Sequence, residues 1–307
     1  MMRFIPNHKG SATLLTMLMA AVIITVGLGF NWLVKEHLKA AEALRKKTEA
    51  ILKARSSYDT LIYLILNGRM SQREIRWAAN DDVSSLKTLP LDGQKVSLSD
   101  DVSVQAKDSN GMVSLVSIHS GALERLVQKA GGNGNASGIL SSYLDWIDTD
   151  PFVRVNGAEA FYYQGEGLPY GPRNYALQYQ EEFQLIKGMN KELYRQIEPH
   201  LTLLPSLGFN PNTASDEVLM AYLNIDENTL KGLREYMSKK PLSSDMELFA
   251  ITGRKIATDE GVYFFPSPFI EVIVSAGEPK KLYQIRAGLD TRQNPRFPYG
   301  ILYWREE

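Results

Sequence analysis

The sequence contains no cysteine, and histidine is scarce among its 307 residues. The absence of cysteine excludes disulfide bonds, thiol nucleophiles and thiolate metal sites together. No glycine-rich phosphate loop follows a strand pattern, and no nucleophile elbow occurs. The histidines do not cluster; they are His8, His37, His119 and His200. We therefore expect no enzymatic activity.

An excess of either charge is also lacking. The chain has 34 basic and 35 acidic residues, which gives a formal net charge of −1. This balance does not point to a nucleic-acid partner. Hydrophobic residues make up 44% of the chain and charged residues 22%, a composition typical of folded proteins.

Charge is completely absent from one stretch, Ser11–Val34. As a helix this stretch would rise about 36 Å, enough to cross a bilayer core of about 30 Å. A secretory signal peptide has a shorter apolar core, of about 7–15 residues, with its cleavage site after that core. Here a basic leader with Arg3 and Lys9 precedes the core, and the polar-to-apolar junction falls at Gly10.

This order resembles a type IV prepilin, whose leader is removed while its apolar helix stays on the mature protein. The resemblance predicts cleavage between Gly10 and Ser11; the alternative is an uncleaved signal anchor. Basic residues also follow the span, so charge counting alone argues against an outward C-terminal body. The prepilin interpretation nevertheless places that body outside the cytoplasm, in the periplasm, on a single inner-membrane helix.

Beyond the span, the apolar periodicity predicts how the chain is organised. Spacings of three, four and seven continue the helix from Lys35 to Asn67, and Asn67-Gly68 ends it. Ser71–Asn80 is predicted as a short helix. Two-residue alternation, including Val113 and Leu115, predicts antiparallel strands within 92–118 and again within 269–304.

The strand patterns are separated by about 140 residues without strand signals, which predicts an inserted domain. We expect an α+β fold: a leader (1–10), a long helix (11–70, membrane-spanning over 11–34), a small antiparallel-sheet body (71–118 and 263–307) and an inserted all-α domain (119–262). Within the insert, Glu182–Gly188 is echoed by Glu247–Gly253, a weak repeat that indicates helix-hairpin-helix modules. A further helix, which contains Val218 and lies between the two copies, is predicted to be capped by Thr213 or Ser215.

Helix-hairpin-helix modules often bind DNA phosphates, so nucleic-acid binding is an alternative function. Between Gln180 and Glu260 there are nine basic and thirteen acidic residues. A phosphate-binding surface requires the opposite sign. A membrane-anchored DNA-binding protein is therefore the least favoured interpretation, and no nucleic-acid partner is expected.

The densest acidic group in the chain consists of Asp145, Asp148, Asp150 and Glu159. Carboxylate oxygens at short spacing suit calcium, which takes about six to eight oxygen ligands. The spacing does not match an EF-hand loop. In the alternative interpretation Asp148 and Asp150 cap the turn before Pro151, and Trp146 fills the core.

Taken in order along the chain, these motifs resemble the minor pseudopilins of class K from type II secretion systems. The matching stretches are Lys9-Gly10 with the apolar helix, Asp145–Asp150, Asn156–Glu159 with Tyr162, Tyr163, Tyr170 and Asn174, Glu182–Gly188, and Asn210–Ala214. The fifth residue after the predicted cut is Leu15, where most pilin-like proteins have glutamate; leucine is usual for class K.

The resemblance implies cleavage after Gly10 by prepilin peptidase and methylation of the new N-terminus at Ser11. It implies a pilin-like body with a helical insert, and calcium in that insert. It also implies assembly with class I and class J pseudopilins at the tip of the periplasmic pseudopilus, above the major pseudopilin. The alternative is a minor tip pilin of another type IV filament.

Overall fold

The computed structural model describes residues 11–77, 86–132, 134–254, 261–277, 281–292 and 296–307. The leader, with Gly10, lies outside the described residues. The chain divides into two compact units, Met1–Leu52 and Lys53–Glu307.

Among the described residues, one long helix is followed by shorter ones. They are α1 (Ser11–Asn67), α2 (Ser120–Lys129), α3 (Ala136–Ile147), α4 (Ala160–Gly165), α5 (Lys191–Ile197), α6 (Asp216–Leu223), α7 (Glu227–Lys239) and α8 (Asp245–Thr252). Short 3₁₀ helices cover Ser109–Gly111, Gln180–Leu185 and Glu198–His200.

The strands range from two to eight residues in length. They are β1 (Arg69–Met70), β2 (Glu74–Arg76), β3 (Thr88–Pro90), β4 (Val96–Ser99), β5 (Val102–Asp108), β6 (Val113–Ser114), β7 (Leu201–Thr202), β8 (Phe269–Ala276), β9 (Tyr283–Asp290) and β10 (Gly300–Glu306).

Helix α1 is the only element of the first unit among the described residues, and it continues into the second unit. It has a mean hydropathy of 2.2 in its most apolar window, so it is long and apolar enough to cross a membrane. Beyond Lys53, α1 buries an apolar stripe that includes Ala54, Leu61 and Leu64. The helix ends at Asn67, as its sequence predicts.

The main sheet of the second unit is antiparallel, in the order β10-β9-β8-β5-β4. Its central pair, β5 and β8, joins the two predicted strand blocks: Val104 lies opposite Val274. The insert therefore leaves the sheet after one central strand and returns to it at the neighbouring one. Nearly every side chain of β8 is buried, since both of its faces are covered.

Two local predictions are wrong. The sequence predicts a helix over Ser71–Asn80, but Glu74–Arg76 forms strand β2, in which buried Ile75 pairs with Leu89; residues 78–80 lie outside the described residues. It also predicts an antiparallel strand at Val113 and Leu115, whereas β6 pairs in parallel with β7, inside the supposedly strand-free region. Strands β2 and β6 are too short for an alternating pattern to identify them. The partner of β6, strand β7, is also distant in sequence and only two residues long.

The two copies of the weak repeat also differ in structure. Glu182–Gly188 lies mostly in a 3₁₀ helix, and Glu247–Gly253 lies mostly in α8. Gly188 and Gly253 both have positive φ, so the resemblance lies in how each segment ends.

A buried carboxylate joins the sheet to the insert at the end of β5. Asp108 accepts hydrogen bonds from the main-chain N–H groups of Ser267 (2.8 Å) and Asn110 (3.1 Å), from Asn210 Nδ2 (3.0 Å) and from Thr213 Oγ1 (2.8 Å). Burial raises its pKa to about 6, although these hydrogen bonds oppose the shift. Thr213 is thus used at this junction, and the predicted cap of α6 is supplied by Ser215 alone.

Candidate functional site: a carboxylate cluster in the insert

Three carboxylates meet where α3 gives way to α4. Asp145 lies in the last turn of α3, Asp148 is the residue that ends that helix, and Glu159 precedes the first residue of α4. One oxygen from each of the three lies within 4.8 Å of the others. Asp145 is fully buried, Glu159 is 8% exposed, and Asp148 is partly exposed.

The connecting loop wraps closely around Asp145. The main-chain N–H of Arg154 donates to both of its carboxylate oxygens, at 3.3 and 3.2 Å. At Gly157 a Cβ atom would lie only 2.0 Å from Asp145 Oδ2, so no larger residue fits there without displacement. The loop and the carboxylate therefore fix each other's positions.

Arg154 also lies across the cluster with its side chain. Its Nη1 donates to Asp145 Oδ1 at 2.8 Å and forms a second ion pair with Asp148 Oδ2. The hydrogen bonds to Asp145 and Asp148 raise the pKa of the Arg154 guanidinium. Sequence reasoning missed this residue, although a signal was present: no other lysine or arginine occurs between Lys129 and Arg173.

One arginine does not satisfy the whole cluster. Glu159 Oε1 and Asp148 Oδ1 are buried atoms without a hydrogen-bond partner among the described residues. Burial, with the nearby negative charges of Asp145 and Asp148, raises the pKa of Glu159. Buried polar atoms are rarely left unpaired, so the two oxygens indicate a missing cationic or donor partner.

Asp150, the fourth predicted ligand, does not join this group. Its Oδ1 accepts from the main-chain N–H of Phe152 at 3.0 Å, so it caps the turn around Pro151 as the alternative interpretation expects. Trp146 also agrees with that interpretation: it is buried, with its ring 5.3 Å from that of Tyr163 in an edge-on arrangement.

The three remaining carboxylates fit a hard divalent cation. Their oxygens converge, two of these oxygens have no partner among the described residues, and carboxylates are the ligands that calcium prefers. Asp145, Asp148 and Glu159 would hold the ion, and it would neutralise charge that Arg154 only partly balances.

The residues predicted for assembly lie in the first unit. Ser11 is the first residue of α1, and Leu15 projects from the same helix with 59% of its surface exposed. The predicted cleavage residue, Gly10, falls outside the described residues.

Comparison with known proteins relates this chain to one family of secretion proteins. A family model described as type II secretion system protein K matches residues 98–206, which include strand β5 and the carboxylate cluster. Type II secretion system protein K of Pectobacterium carotovorum subsp. carotovorum is 22% identical over 275 residues, 80% of each chain. The chain is thus similar to type II secretion system protein K over most of its length.

Two further similar proteins extend the comparison. A putative type II secretion system protein K of Escherichia coli strain K12 is 31% identical over 112 residues, 35% of this chain and 34% of that protein. A chain in the crystal structure of the GspK–GspI–GspJ complex from enterotoxigenic Escherichia coli has the same fold, with a TM-score of 0.54 and 16% identity. That similarity covers 89% of this chain and 99% of the other.

Proposed function

We propose that this chain is a minor pseudopilin that caps the tip of the periplasmic pseudopilus, together with class I and class J partners, and so supports protein export across the outer membrane. The observation that carries the proposal is the fold similarity over almost the whole length of a chain from the GspK–GspI–GspJ complex. Its role is one of assembly, not of catalysis.

The placement of the insert supports a position at the tip. The insert departs from and returns to two neighbouring strands, β5 and β8, so it forms a large addition at the end of the sheet where Asp108 pairs with Ile270. Such an addition would obstruct a subunit stacked above it, whereas at the end of a filament it obstructs nothing.

Leu15 supports the same position. A charged side chain in the apolar part of a bilayer costs at least ~2.5 kcal/mol unless it is paired. In subunits that join an existing filament, a glutamate at this position can pair with the N-terminal amine of the preceding subunit. A subunit that starts the filament has no preceding amine to meet, so leucine avoids the cost and loses no partner.

Processing follows from the same role. Prepilin peptidase would cut between Gly10 and Ser11, the Ser11 amine would be methylated, and α1 would remain as a single-pass inner-membrane anchor until assembly. That amine would then recruit the next subunit, and the major pseudopilin would follow. Mass spectrometry of the mature N-terminus tests this step: a chain that still begins at Met1 in cells with active peptidase contradicts it.

The carboxylate cluster is proposed to bind calcium and to stabilise the insert. Support comes from the convergence of Asp145, Asp148 and Glu159 and from the unpaired oxygens of Asp148 and Glu159. An ion bound only by the folded state stabilises it by mass action. Calcium would thereby keep the insert folded in the periplasm.

Co-expression with the class I and class J pseudopilins of the same system tests the assembly role. We expect the three chains to purify as one complex, with crosslinks from this chain to neighbours on one side only. Crosslinks that place it along the shaft, with subunits on both sides, would refute the tip position. Purification with subunits of a different type IV filament, or salt-sensitive DNA binding, would instead support the alternatives.

A further inference from the structure

The Arg154 side chain occupies the position from which a cation would neutralise the carboxylate cluster. It contacts Asp145 and Asp148, two of the three carboxylates. The third, Glu159, is more than nine-tenths buried and keeps one oxygen without a partner among the described residues. The cluster therefore holds a cation that matches only part of it.

We propose that Arg154 is a built-in competitor for the divalent cation: its guanidinium neutralises the cluster when no ion is bound and must leave Asp145 and Asp148 when one binds. This inference rests on the calcium site proposed above. It goes beyond it by assigning Arg154 the role of setting how tightly the ion is held.

The ion pairs give the physical reason for this competition. Asp148 Oδ2 and Asp145 Oδ1 each already accept a charge-assisted hydrogen bond from Nη1, and a bound ion would need those same carboxylates. An ion that binds must replace these contacts, so the free energy of the Arg154 pairs is subtracted from that of ion binding. Competition of this kind weakens affinity without altering any ligand.

The loop is built so that the side chain can leave while the main chain stays. Arg154 N–H donates to Asp145 independently of the guanidinium, and the close approach of Gly157 holds the other side of the loop. The side chain is 40% exposed, and its neighbours Val153 and Val155 are 62% and 85% exposed. The guanidinium therefore has solvent to move into.

The test is calcium titration of the full-length chain in detergent micelles by calorimetry, with Arg154→Gln compared with the wild type. Removing the competitor should tighten calcium binding about tenfold, which corresponds to about 1.4 kcal/mol. In chelator the same variant should unfold at a lower temperature, since three carboxylates then face one another without a counter-charge. Its stabilisation by calcium should exceed that of the wild type.

Arg173→Gln is the matched control. Arg173 lies in the same insert with similar exposure and pairs with Glu182 at 3.0 Å, away from the cluster. Its removal should leave calcium affinity unchanged. A general effect of lost positive charge would instead tighten binding in both variants.

A chemical readout tests the movement directly. Phenylglyoxal modification followed by mass spectrometry should label Arg154 slowly in chelator and faster in calcium, with Arg173 labelled at one rate throughout. Equal calcium affinity in the wild type and Arg154→Gln, or an unchanged labelling rate, overturns the competitor role while leaving the calcium site in place. If Arg154→Gln binds calcium and the wild type does not, competition is supported and the calcium site of the native protein is overturned. If neither protein binds calcium, both the competitor role and the calcium site are overturned.

Discussion

Two buried acidic sites in the second unit contrast in how their charge is satisfied. Asp108 accepts four hydrogen bonds from four residues, two through main-chain N–H groups and two through side chains. The cluster of Asp145, Asp148 and Glu159 has three carboxylates and one guanidinium, and it leaves two oxygens unpaired among the described residues.

The difference separates a carboxylate whose partners all come from the chain from a cluster that we propose to bind a cation. At Asp108 the protein supplies every partner, so the site is complete when the chain folds and connects sheet to insert. At the cluster the protein brings like charges together and supplies too few partners. Such an arrangement lowers the stability of the folded chain unless a cation binds, because buried unpaired charge is unfavourable.

The largest expected effect comes from Asp108→Asn. The asparagine side chain would place its N–H₂ group where one carboxylate oxygen now accepts from two donors. Those two buried donors would lose their acceptor, which should lower the free energy of unfolding by about 3 kcal/mol. Chemical denaturation of the full-length chain measures this loss, and calcium should not restore it. Asp59→Asn, at an exposed position of α1, is the control and should stay within about 0.5 kcal/mol.

Calcium should act at the cluster alone. At a free concentration of about 100 times the dissociation constant, a bound ion adds about 2.7 kcal/mol, a rise of several degrees in the melting temperature of the insert relative to chelator. Asp148→Ala should remove most of this gain. Asp150→Ala should retain it, because Asp150 caps a turn outside the cluster. Identical melting in calcium and in chelator would count against any ion site there.

Gly157→Ala should distort the geometry of the cluster without changing its charge. The added methyl group would lie 2.0 Å from Asp145 Oδ2, so the loop must shift, at a cost of about 1–3 kcal/mol. Part of the calcium gain should be lost with it. Gly165→Ala is the control, since a methyl group added there would meet no neighbouring group within 4 Å. Equal melting temperatures for the two variants would show that the loop is less tightly held than the structure indicates.

The pH dependence of stability should distinguish Asp108 from an ordinary aspartate. Its pKa is raised from 3.8 to about 6, so between those values the folded chain binds more protons than the unfolded chain. The stability that Asp108 contributes therefore falls as pH rises through this window. The difference in unfolding free energy between wild type and Asp108→Asn should be widest near about pH 4 and smaller above about pH 6. A difference that grows with pH would contradict the raised pKa.

The smallest effect is expected far from both acidic sites in the sequence, at Leu15→Glu. A tip subunit has no preceding amine to pair with the new carboxylate, so assembly with class I and class J partners should be unchanged or poorer. Co-purification yield measures this outcome. A gain in assembly would place the chain within the filament instead of at its end.

The sequence by itself determined the elements whose patterns are long. The uncharged run and the periodicity that follows it predicted α1 to its last residue, Asn67, and alternation predicted strands within 269–304, where β8, β9 and most of β10 lie. Long elements repeat their apolar spacing several times, so local pattern and burial agree. Strands of two or three residues, such as β2 and β6, repeat nothing, and there the prediction was wrong.

The acidic cluster was visible in the sequence because its carboxylates lie within fifteen positions of one another. Sequence spacing could not decide that Asp150 turns away or that Arg154 turns in, since both depend on the path of the loop. Asp108 was not recognised at all: Asn210 and Ser267, which donate to it, lie 102 and 159 residues away. Only the tertiary structure brings those donors together, because a buried charge takes its partners from whichever segments pack around it.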